Sequence, residues 1–410
     1  MFLKKSPLAP KVFPKLPKIN GITMHSMNCG IRKSNKPDLI LISMKEGTNS
    51  ACTVTKSKMP SAPVIWCKKI RRHGRARALI VNSGNANAHT GMDGMNVVHD
   101  TVNTVSNLIN CSKNEVYVAS TGVIGEKLSS NLITDSIPKL FHRKKSSWEE
   151  VANAIRTTDT FSKGASTTCK IEGKSIKIAG IAKGSGMIFP NMGTMLAFIF
   201  TDLKIPSGIL SNLLKDGVER SFNSITVDGD TSTSDTCALF STGHVNLLKS
   251  IVKKSDKRLI TFKEALDKVL QNLAKQIVCD GEGAKKLIKI NVSGAKSEKI
   301  ARKVGLSVAN SPLVKTAIAG EDANWGRIVM AIGKAGVNIN LKFLIISINN
   351  MKVSEGGLVS KNFSEKKASK YMKEKEIEIK IKIGKDKYFA TVWTCDLTHD
   401  YIKINADYRS

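Results

Sequence analysis

Residues 184–196 read GSGMIFPNMGTML and interrupt an otherwise regular chain. Three glycines and a proline permit unusual backbone angles or exclude ordinary ones, so the stretch predicts neither a helix nor a strand. A threonine and an apolar run, MLAFIF at residues 195–200, follow at once. This interruption is the clearest division point in the chain, and it lies near the middle.

Outward from that point, short apolar strands alternate with helical segments. Residues 77–91, RALIVNSGNANAHTG, are an apolar run that stops at a loop rich in glycine and asparagine, and residues 114–128, NEVYVASTGVIGEKL, repeat this form. Buried strands of α/β layers have this pattern. With the helix and the alternating strands described next, these runs predict a mixed α/β fold.

One helix and one hairpin are predicted in the second half. Thr261 and Glu264 have the spacing of a capping box, and five apolar residues then fall on one helical face up to about Cys279 (Leu266, Val269, Leu270, Leu273 and Ile277). An alternating strand, LIKINVSG, follows DGEGAKK. Near the end, EIEIKIKIG alternates strictly and KYFATVW follows a short turn, which predicts an antiparallel hairpin with one solvated face.

Composition excludes several classes of protein. The 410 residues carry 41% hydrophobic and 24% charged residues, and no apolar run approaches the roughly 20 residues that span a bilayer. The net charge of +30 invites a nucleic-acid role. The lysines are nevertheless spread along the chain beside acidic or apolar partners, and aromatic residues make up only 5%. No stacking platform or recognition helix emerges, so a basic binding protein is the less favoured reading.

The amino terminus and the cysteines favour a cytoplasmic protein. Four prolines interrupt the basic first 21 residues, which therefore lack the apolar core of a secretory signal, and lysine rather than arginine supplies the charge, which disfavours a transit peptide. Eight cysteines are scattered without a CxxC pair, so we expect free thiols.

Familiar catalytic signatures are absent, but four stretches crowd hydroxyls, amides and glycines together. There is no G-x-S-x-G elbow, Walker loop, H-E-x-x-H or G-x-G-x-x-G between a strand and a helix. Any one polar stretch is most simply an ordered loop, whereas four in one chain are harder to dismiss. The four are VNSGNANAHTG, ASTGVIGEK, GIAKGSGMIFPNMGTML and FNSITVDGDTSTSDT.

These stretches, together with TTDT, DGEGAK, VKTAIAGEDANWGRI, WTCDLT and the terminal NADYRS, resemble the ornithine acetyltransferase family, also called glutamate N-acetyltransferase. The resemblance runs from about residue 30 to residue 410. It implies a mixed-sheet layered fold of the self-cleaving ornithine acetyltransferase and aminopeptidase type. It also implies that the precursor cleaves itself between Gly193 and Thr194. The two chains would be residues 1–193 and 194–410.

Cleavage of this kind has a chemical rationale in the glycine-flanked turn. The Thr194 hydroxyl can attack the strained Gly193 carbonyl and form an ester, which water then hydrolyses. The new amino-terminal threonine carries its own base, because a free α-amino group titrates near roughly 7.7–8.0. No histidine is needed for such a nucleophile.

The resemblance also assigns site residues by position. Thr121 and Gly122 would donate to the oxyanion, and Thr194 would be the nucleophile. Substrate contacts would come from Thr157, Lys183, Thr194, Glu282, Asn405 and Ser410. The substrates that the family implies, acetylornithine and glutamate, share an α-carboxylate, and a cation at position 183 could pair with it. A carboxylate at position 282 could bind a substrate ammonium group. The pair Thr157 and Thr158 in TTDT is hard to separate, and we favour Thr157.

The chain departs from the family pattern at three places. Gly193 replaces the usual alanine, which is benign because glycine tolerates more backbone angles. His89 stands where cysteine is common, and Ser234 where asparagine is common. Neither His89 nor Ser234 is a carried-over catalytic position, so we expect the chemistry to survive. Gly193 lies at the cleavage bond, so the efficiency of processing is the property that we expect to differ most.

The implied reaction transfers acetyl from N2-acetylornithine to glutamate through an acetyl-threonine intermediate in arginine biosynthesis. We expect no metal or organic cofactor, and the sequence leaves open whether acetyl-CoA is also a donor. The family implies a heterotetramer of two α and two β chains. Among enzymes, the rival is an amino-terminal-nucleophile hydrolase such as an aminopeptidase, in which water resolves the acyl-enzyme.

Overall fold

The computed structural model describes residues 4–189 and 195–406. Gly193, Thr194 and Ser410, three of the expected site residues, therefore lie outside the described residues. None of the helices within the described ranges is long and apolar enough to cross a membrane.

The strands, numbered in chain order, have the following bounds: β1 Ile22–Met27, β2 Leu39–Met44, β3 Asn49–Val54, β4 Ala78–Asn85, β5 Val116–Val123, β6 Lys163–Ile171, β7 Lys174–Lys183, β8 Leu196–Leu203, β9 Thr236–Val245, β10 Leu287–Ala295, β11 Ile345–Ile348, β12 Met351–Glu355, β13 Leu358–Val359, β14 Glu376–Lys382 and β15 Tyr388–Cys395. The helices are α1 Ala62–Ile70, α2 Gly91–Ile109, α3 Ser130–Thr134, α4 Ser136–Phe141, α5 Trp148–Ala154, α6 Ser207–Glu219, α7 Arg258–Cys279, α8 Glu298–Ala309, α9 Pro312–Ala319, α10 Trp325–Gly333, α11 Glu365–Met372 and α12 His399–Ala406.

The strands of the described residues form three sheets, which confirms the mixed α/β class. Their orders are β1-β2-β4-β5, β3-β9-β8-β7-β6 and β13-β12-β11-β14-β10-β15. In each of the three, parallel and antiparallel pairs occur together; β4 and β5, β8 and β9, and β10 and β14 are parallel. The fold is thus a set of mixed sheets layered with helices.

The sheet β3-β9-β8-β7-β6 has a hydrophobic core on each of its two faces. This explains the apolar run that follows the interruption at residues 184–196. On β8, Phe198 and Phe200 pack into the core formed with the first sheet, whereas Ala197 and Ile199 pack into the core under α6 and α7. Every residue of β8 is buried as a result. A strand covered on both faces reads as a continuous apolar run because neither face needs polar side chains.

Helix α7 is predicted correctly in its face and its end but not in its start. All five apolar residues of the predicted face are buried, and the helix ends at Cys279. It begins at Arg258, ahead of the capping-box pair, so the predicted start is wrong. The extra turn buries Leu259 in the core under α6 and α7, and this packing outweighs the local capping signal.

The predicted hairpin between β14 and β15 is also wrong, although both strands exist. Strand β10 lies between them, parallel to β14 and antiparallel to β15. The connection passes the end of β10, where Gly294 and Gly384 approach so closely that a Cβ on Gly294 would lie 2.2 Å from the Gly384 carbonyl oxygen. Burial of Ile377, Ile379 and Ile381 on one face agrees with the predicted alternation.

Candidate active site

A cavity of about 250 Å³ lies where the ends of β5 and β7 meet the loop after α7 and the helix α12. Six of the residues expected from the sequence line it: Thr121, Gly122, Thr157, Lys183, Glu282 and Asn405. They come from five separate segments of the chain. The rest of the lining includes Thr158, Met187 and the hydroxyl-rich segment 232–234.

Lys183 and Thr121 are in direct contact on one wall of the cavity. The Lys183 side chain is almost fully buried, and its Nζ donates a hydrogen bond to Thr121 Oγ1 at 3.0 Å. An ammonium group can only donate, so the threonine oxygen must be the acceptor. The Thr121 O–H is then left to donate elsewhere, which is the property that an oxyanion donor requires.

Gly122 lies at a close approach between the parallel strands β4 and β5. Its φ is +137°, a conformation that side-chain-bearing residues rarely adopt, and a Cβ there would lie 2.2 Å from the Gly84 carbonyl carbon. The backbone of Gly122 can therefore line the cavity only because the residue has no side chain.

Replacing Gly122 with alanine should lower the free energy of unfolding by at least about 2 kcal/mol, from backbone strain and overpacking together. Gly125 is a matched control, since its φ is +84° and a Cβ there would meet nothing within 4 Å. Gly125→Ala should carry the strain alone. Urea unfolding of the two variants measures the difference, and equal destabilisation would contradict the steric explanation.

Glu282 forms the opposite polar wall. Asn405 Nδ2 donates to Glu282 Oε2 at 2.9 Å, and the Glu282 backbone N–H donates to the Ser185 carbonyl at 3.1 Å. A Cβ on Gly186 would lie 2.5 Å from a Glu282 carboxylate oxygen, so a side chain at position 186 would displace that carboxylate from its present position. Glycine in this loop thus has a packing reason as well as a conformational one.

The two adjacent threonines of TTDT have different surroundings. The Thr158 hydroxyl lies 2.6 Å from Ser185 Oγ and also hydrogen-bonds Glu282. The Thr157 hydroxyl lines the cavity without a hydrogen-bond partner among the described residues. This difference supports the preference for Thr157 as the residue with a hydroxyl available for a ligand.

The pKa values of the two charged side chains in the cavity are shifted in opposite directions. Burial lowers the pKa of the Lys183 ammonium, although Asp159 opposes the effect. Burial raises the pKa of the Glu282 carboxyl, although hydrogen bonds from Asn405 and Thr158 oppose it. Both shifts narrow the pH range in which Lys183 is cationic and Glu282 anionic at once.

Sequence reasoning missed Asp235, which lies next to the interruption in the chain. This carboxyl is fully buried, and its Oδ1 accepts a hydrogen bond from the Met195 backbone N–H at 3.0 Å. Burial raises its pKa well above the ordinary aspartate value. The residue lies inside the stretch FNSITVDGDTSTSDT, but nothing in the sequence separates it from the other acidic residues there.

Comparison with known proteins identifies the family. The family model of the ArgJ family matches residues 23–410. The "Arginine biosynthesis bifunctional protein ArgJ" of Bradyrhizobium diazoefficiens is 48% identical over 408 residues, 99% of each chain, and that of Brucella suis is 46% identical over 408 residues, again 99% of each. A crystal structure of the Bacillus halodurans protein of that name is 37% identical, with a TM-score of 0.48, over 51% of this chain and 97% of its own. On the family match and these identities, the chain belongs to the ArgJ family.

Proposed function

We propose that this protein transfers acetyl from N2-acetylornithine to glutamate through an acetyl ester on Thr194, yielding ornithine and N-acetylglutamate for arginine biosynthesis. The observation that carries the proposal is the buried contact between Lys183 and Thr121 in a cavity faced by Glu282 and Asn405. The cavity thus combines a cation for a carboxylate, a hydroxyl donor for an oxyanion and a carboxylate for an ammonium. The relatives' names place them in the same pathway.

In the first half-reaction, Thr194 Oγ attacks the acetyl carbonyl while its own α-amine takes the hydroxyl proton. The Thr121 hydroxyl and the Gly122 N–H stabilise the oxyanion, a contribution of about 3–4 kcal/mol per donor. Collapse breaks the C–N bond, and ornithine leaves with the proton from the α-ammonium. In the second half-reaction, the neutral glutamate amine attacks the ester and forms the new amide as the C–Oγ bond breaks. The Thr194 α-amine takes the proton from the attacking nitrogen and returns it to Thr194 Oγ.

Lys183 would hold both substrates in turn, and Glu282 would hold the donor, assisted by Thr157, Asn405 and Ser410. Lys183 pairs with the α-carboxylate that donor and acceptor share, and Glu282 accepts from the δ-ammonium group of acetylornithine. No metal or organic cofactor is required, because the nucleophile carries its own base.

We further propose that the chain cleaves itself between Gly193 and Thr194 and that residues 1–193 and 194–410 stay together. Strand β7 belongs to the first part, and β8 and β9 to the second, yet β7 and β8 pair along Ile178–Lys183 and Leu196–Thr201 in one sheet. Separating the parts would expose the two cores that this sheet divides. Their assembly into a heterotetramer in the cytoplasm belongs to the same proposal.

Acetyl-CoA is proposed as a second acetyl donor. The term bifunctional in the relatives' name supports this part of the proposal, since a second activity is needed to justify it. Glutamate acetylation with acetyl-CoA as the sole donor tests it directly. The rival function is an amino-terminal-nucleophile hydrolase, in which water takes the place of glutamate.

Initial-rate kinetics test the transfer mechanism. With acetylornithine and glutamate varied, double-reciprocal lines should be parallel, and acetylornithine alone should leave an acetyl adduct on the chain that begins at Thr194. Intersecting lines without an adduct would indicate direct transfer. Acetate release that glutamate cannot suppress would favour the hydrolase.

Removing the Thr121 hydroxyl should lower turnover more than it weakens binding, because the oxyanion forms only in the transition state. For Thr121→Val we expect kcat to fall about 100-fold to 1,000-fold with a KM change of a few-fold. Thr121→Ser keeps the hydroxyl and is the matched control. A KM increase equal to the loss in kcat would contradict the assigned role.

A further inference from the structure

A buried ion cluster lies behind the cavity and outside the proposed set of site residues. The Lys163 ammonium contacts Asp159 Oδ1 at 2.6 Å and Asp280 Oδ2 at 2.5 Å, and all three side chains are fully buried. Asp159 and Asp280 raise the pKa of Lys163 despite its burial. A buried lysine of this kind is therefore a fixed charge rather than one of the many solvated lysines of this chain.

Asp159 holds two of the segments that line the cavity. Its Oδ1 accepts the Gly184 backbone N–H at 2.6 Å, directly after Lys183 at the end of β7. Its Oδ2 accepts the Thr157 backbone N–H at 3.0 Å. A single carboxylate thus fixes the segment that carries the cation and the segment that carries the threonine hydroxyl.

Asp280 connects the segment that carries Glu282 to the segment that carries Thr157. Its Oδ2 accepts the Thr160 backbone N–H at 2.9 Å, and its Oδ1 accepts the Thr160 hydroxyl. Glu282 lies two residues further along the chain. Lys163 bridges the two aspartates, so the segments carrying Thr157 and Glu282 are joined through one ammonium group.

The cluster and Lys183 are also balanced in charge. Two aspartates and one lysine carry a net charge of −1, and the Lys183 ammonium compensates for it. Burial lowers the pKa of Lys183, Asp159 opposes this, Lys163 adds to it, and Asp235 and Glu282 oppose it. Asp159 therefore keeps Lys183 cationic, whereas Lys163 acts in the other direction.

From this geometry we infer that Asp159, Lys163 and Asp280 are positioning residues for the proposed transfer: together they set the spacing between Lys183 and Glu282, and Asp159 in addition keeps Lys183 cationic. The inference rests on the proposed function. In the two-chain form, the Lys163–Asp280 contact also crosses from the first chain to the second. The proposed role is electrostatic as well as structural. An experiment that reports the charge of Lys183 can therefore distinguish it from a purely structural role.

The test is the pH dependence of kcat/KM for acetylornithine, which reports the first half-reaction and free-enzyme ionisations. Acetylornithine has no titratable α-amine, and its δ-ammonium is common to all variants. Carboxylate binding needs protonated Lys183, so activity is lost as the pH rises through the lowered pKa of Lys183. A shift of this alkaline limb between variants therefore reports on Lys183.

Two variants should move the alkaline limb in opposite directions. Asp159→Asn removes the anion that supports Lys183, so the limb should move to lower pH by at least about 0.5 unit, roughly a threefold change in the ionised fraction. The double variant Lys163→Met with Asp280→Asn removes one charge of each sign and the repulsion from Lys163. Its limb should move to higher pH, with a KM about 10-fold above wild type, because the Glu282 segment is no longer tethered.

Asp267→Asn is the matched control, because Asp267 forms a half-buried ion pair with Arg220 at 2.9 Å away from the cavity. It should leave the pH profile and KM unchanged.

The double variant keeps the inference testable if Asp159→Asn does not fold. It removes one buried charge of each sign, so the net charge of the cluster does not change. Coincident profiles for wild type and either folded variant would overturn the inference. Wild-type protein without any acetyl transfer would instead overturn the proposed function, and the positioning role with it.

Discussion

Thr194→Ala is expected to remain one chain of 410 residues and to lose acetyl transfer by about 10⁴-fold to 10⁶-fold, as removal of a nucleophile does elsewhere. Both effects have one cause. The hydroxyl that would attack the Gly193 carbonyl during maturation is also the group that would carry the acetyl ester. Denaturing gel electrophoresis with amino-terminal sequencing measures the first effect, and ornithine release measures the second.

Thr194→Ser is the matched control for this prediction. It keeps a hydroxyl and, after cleavage, an α-amine, so it should still yield two chains, the smaller beginning with serine, and retain measurable transfer. An intact and fully active Thr194→Ala protein would refute both the cleavage and the acyl-enzyme. Cleavage without activity in Thr194→Ser would separate the maturation step from the catalytic one.

Lys183→Met is expected to raise the KM of acetylornithine and of glutamate together, by about 30-fold to 1,000-fold, and to lower kcat as well. Loss of one partner of a desolvated charge pair costs about 2–4 kcal/mol, and both substrates carry the carboxylate that Lys183 would bind. The fall in kcat follows from the contact at 3.0 Å between Nζ and Thr121 Oγ1, since the hydroxyl loses the donor that orients it. Steady-state kinetics with each substrate varied measures both effects.

Lys177→Met is the matched control, because Lys177 lies on the same strand, β7, but does not line the cavity. Its kinetic constants should stay within a few-fold of wild type. An effect of Lys183→Met on one substrate alone would refute a shared carboxylate site. An unchanged kcat would refute the orienting role toward Thr121.

Local patterns predicted what depends on neighbours in the sequence. The apolar face of α7 and the alternation of β14 follow from periodicity, and the structure confirms both. The start of α7 and the pairing of β14 depend instead on distant residues. Burial of Leu259 extends the helix. Strand β10, from nearly 90 residues upstream, lies between two strands that are adjacent in the sequence.

The residues in and around the candidate site also divide into those that could be named from the sequence and those that could not. Thr121, Lys183 and Glu282 could be named before the structure, because the motifs around them resemble those of the ornithine acetyltransferase family. Lys163 could not be named, since nothing local distinguishes it among 64 lysines and arginines. Its role depends on Asp280, which is 117 residues away in the sequence and 2.5 Å away in space.

The sequence by itself determined the α/β class and the interruption at residues 184–196. These properties follow from hydrophobic periodicity and backbone freedom, which act over a few residues. The segments of the candidate site were named from the resemblance of their motifs to those of the family. Only the tertiary structure decided the strand order, the contact between Lys183 and Thr121, and the buried cluster of Asp159, Lys163 and Asp280. Their free energies depend on desolvation and on charges brought together from distant segments, and a buried charge acquires its partner only when the chain has folded around it.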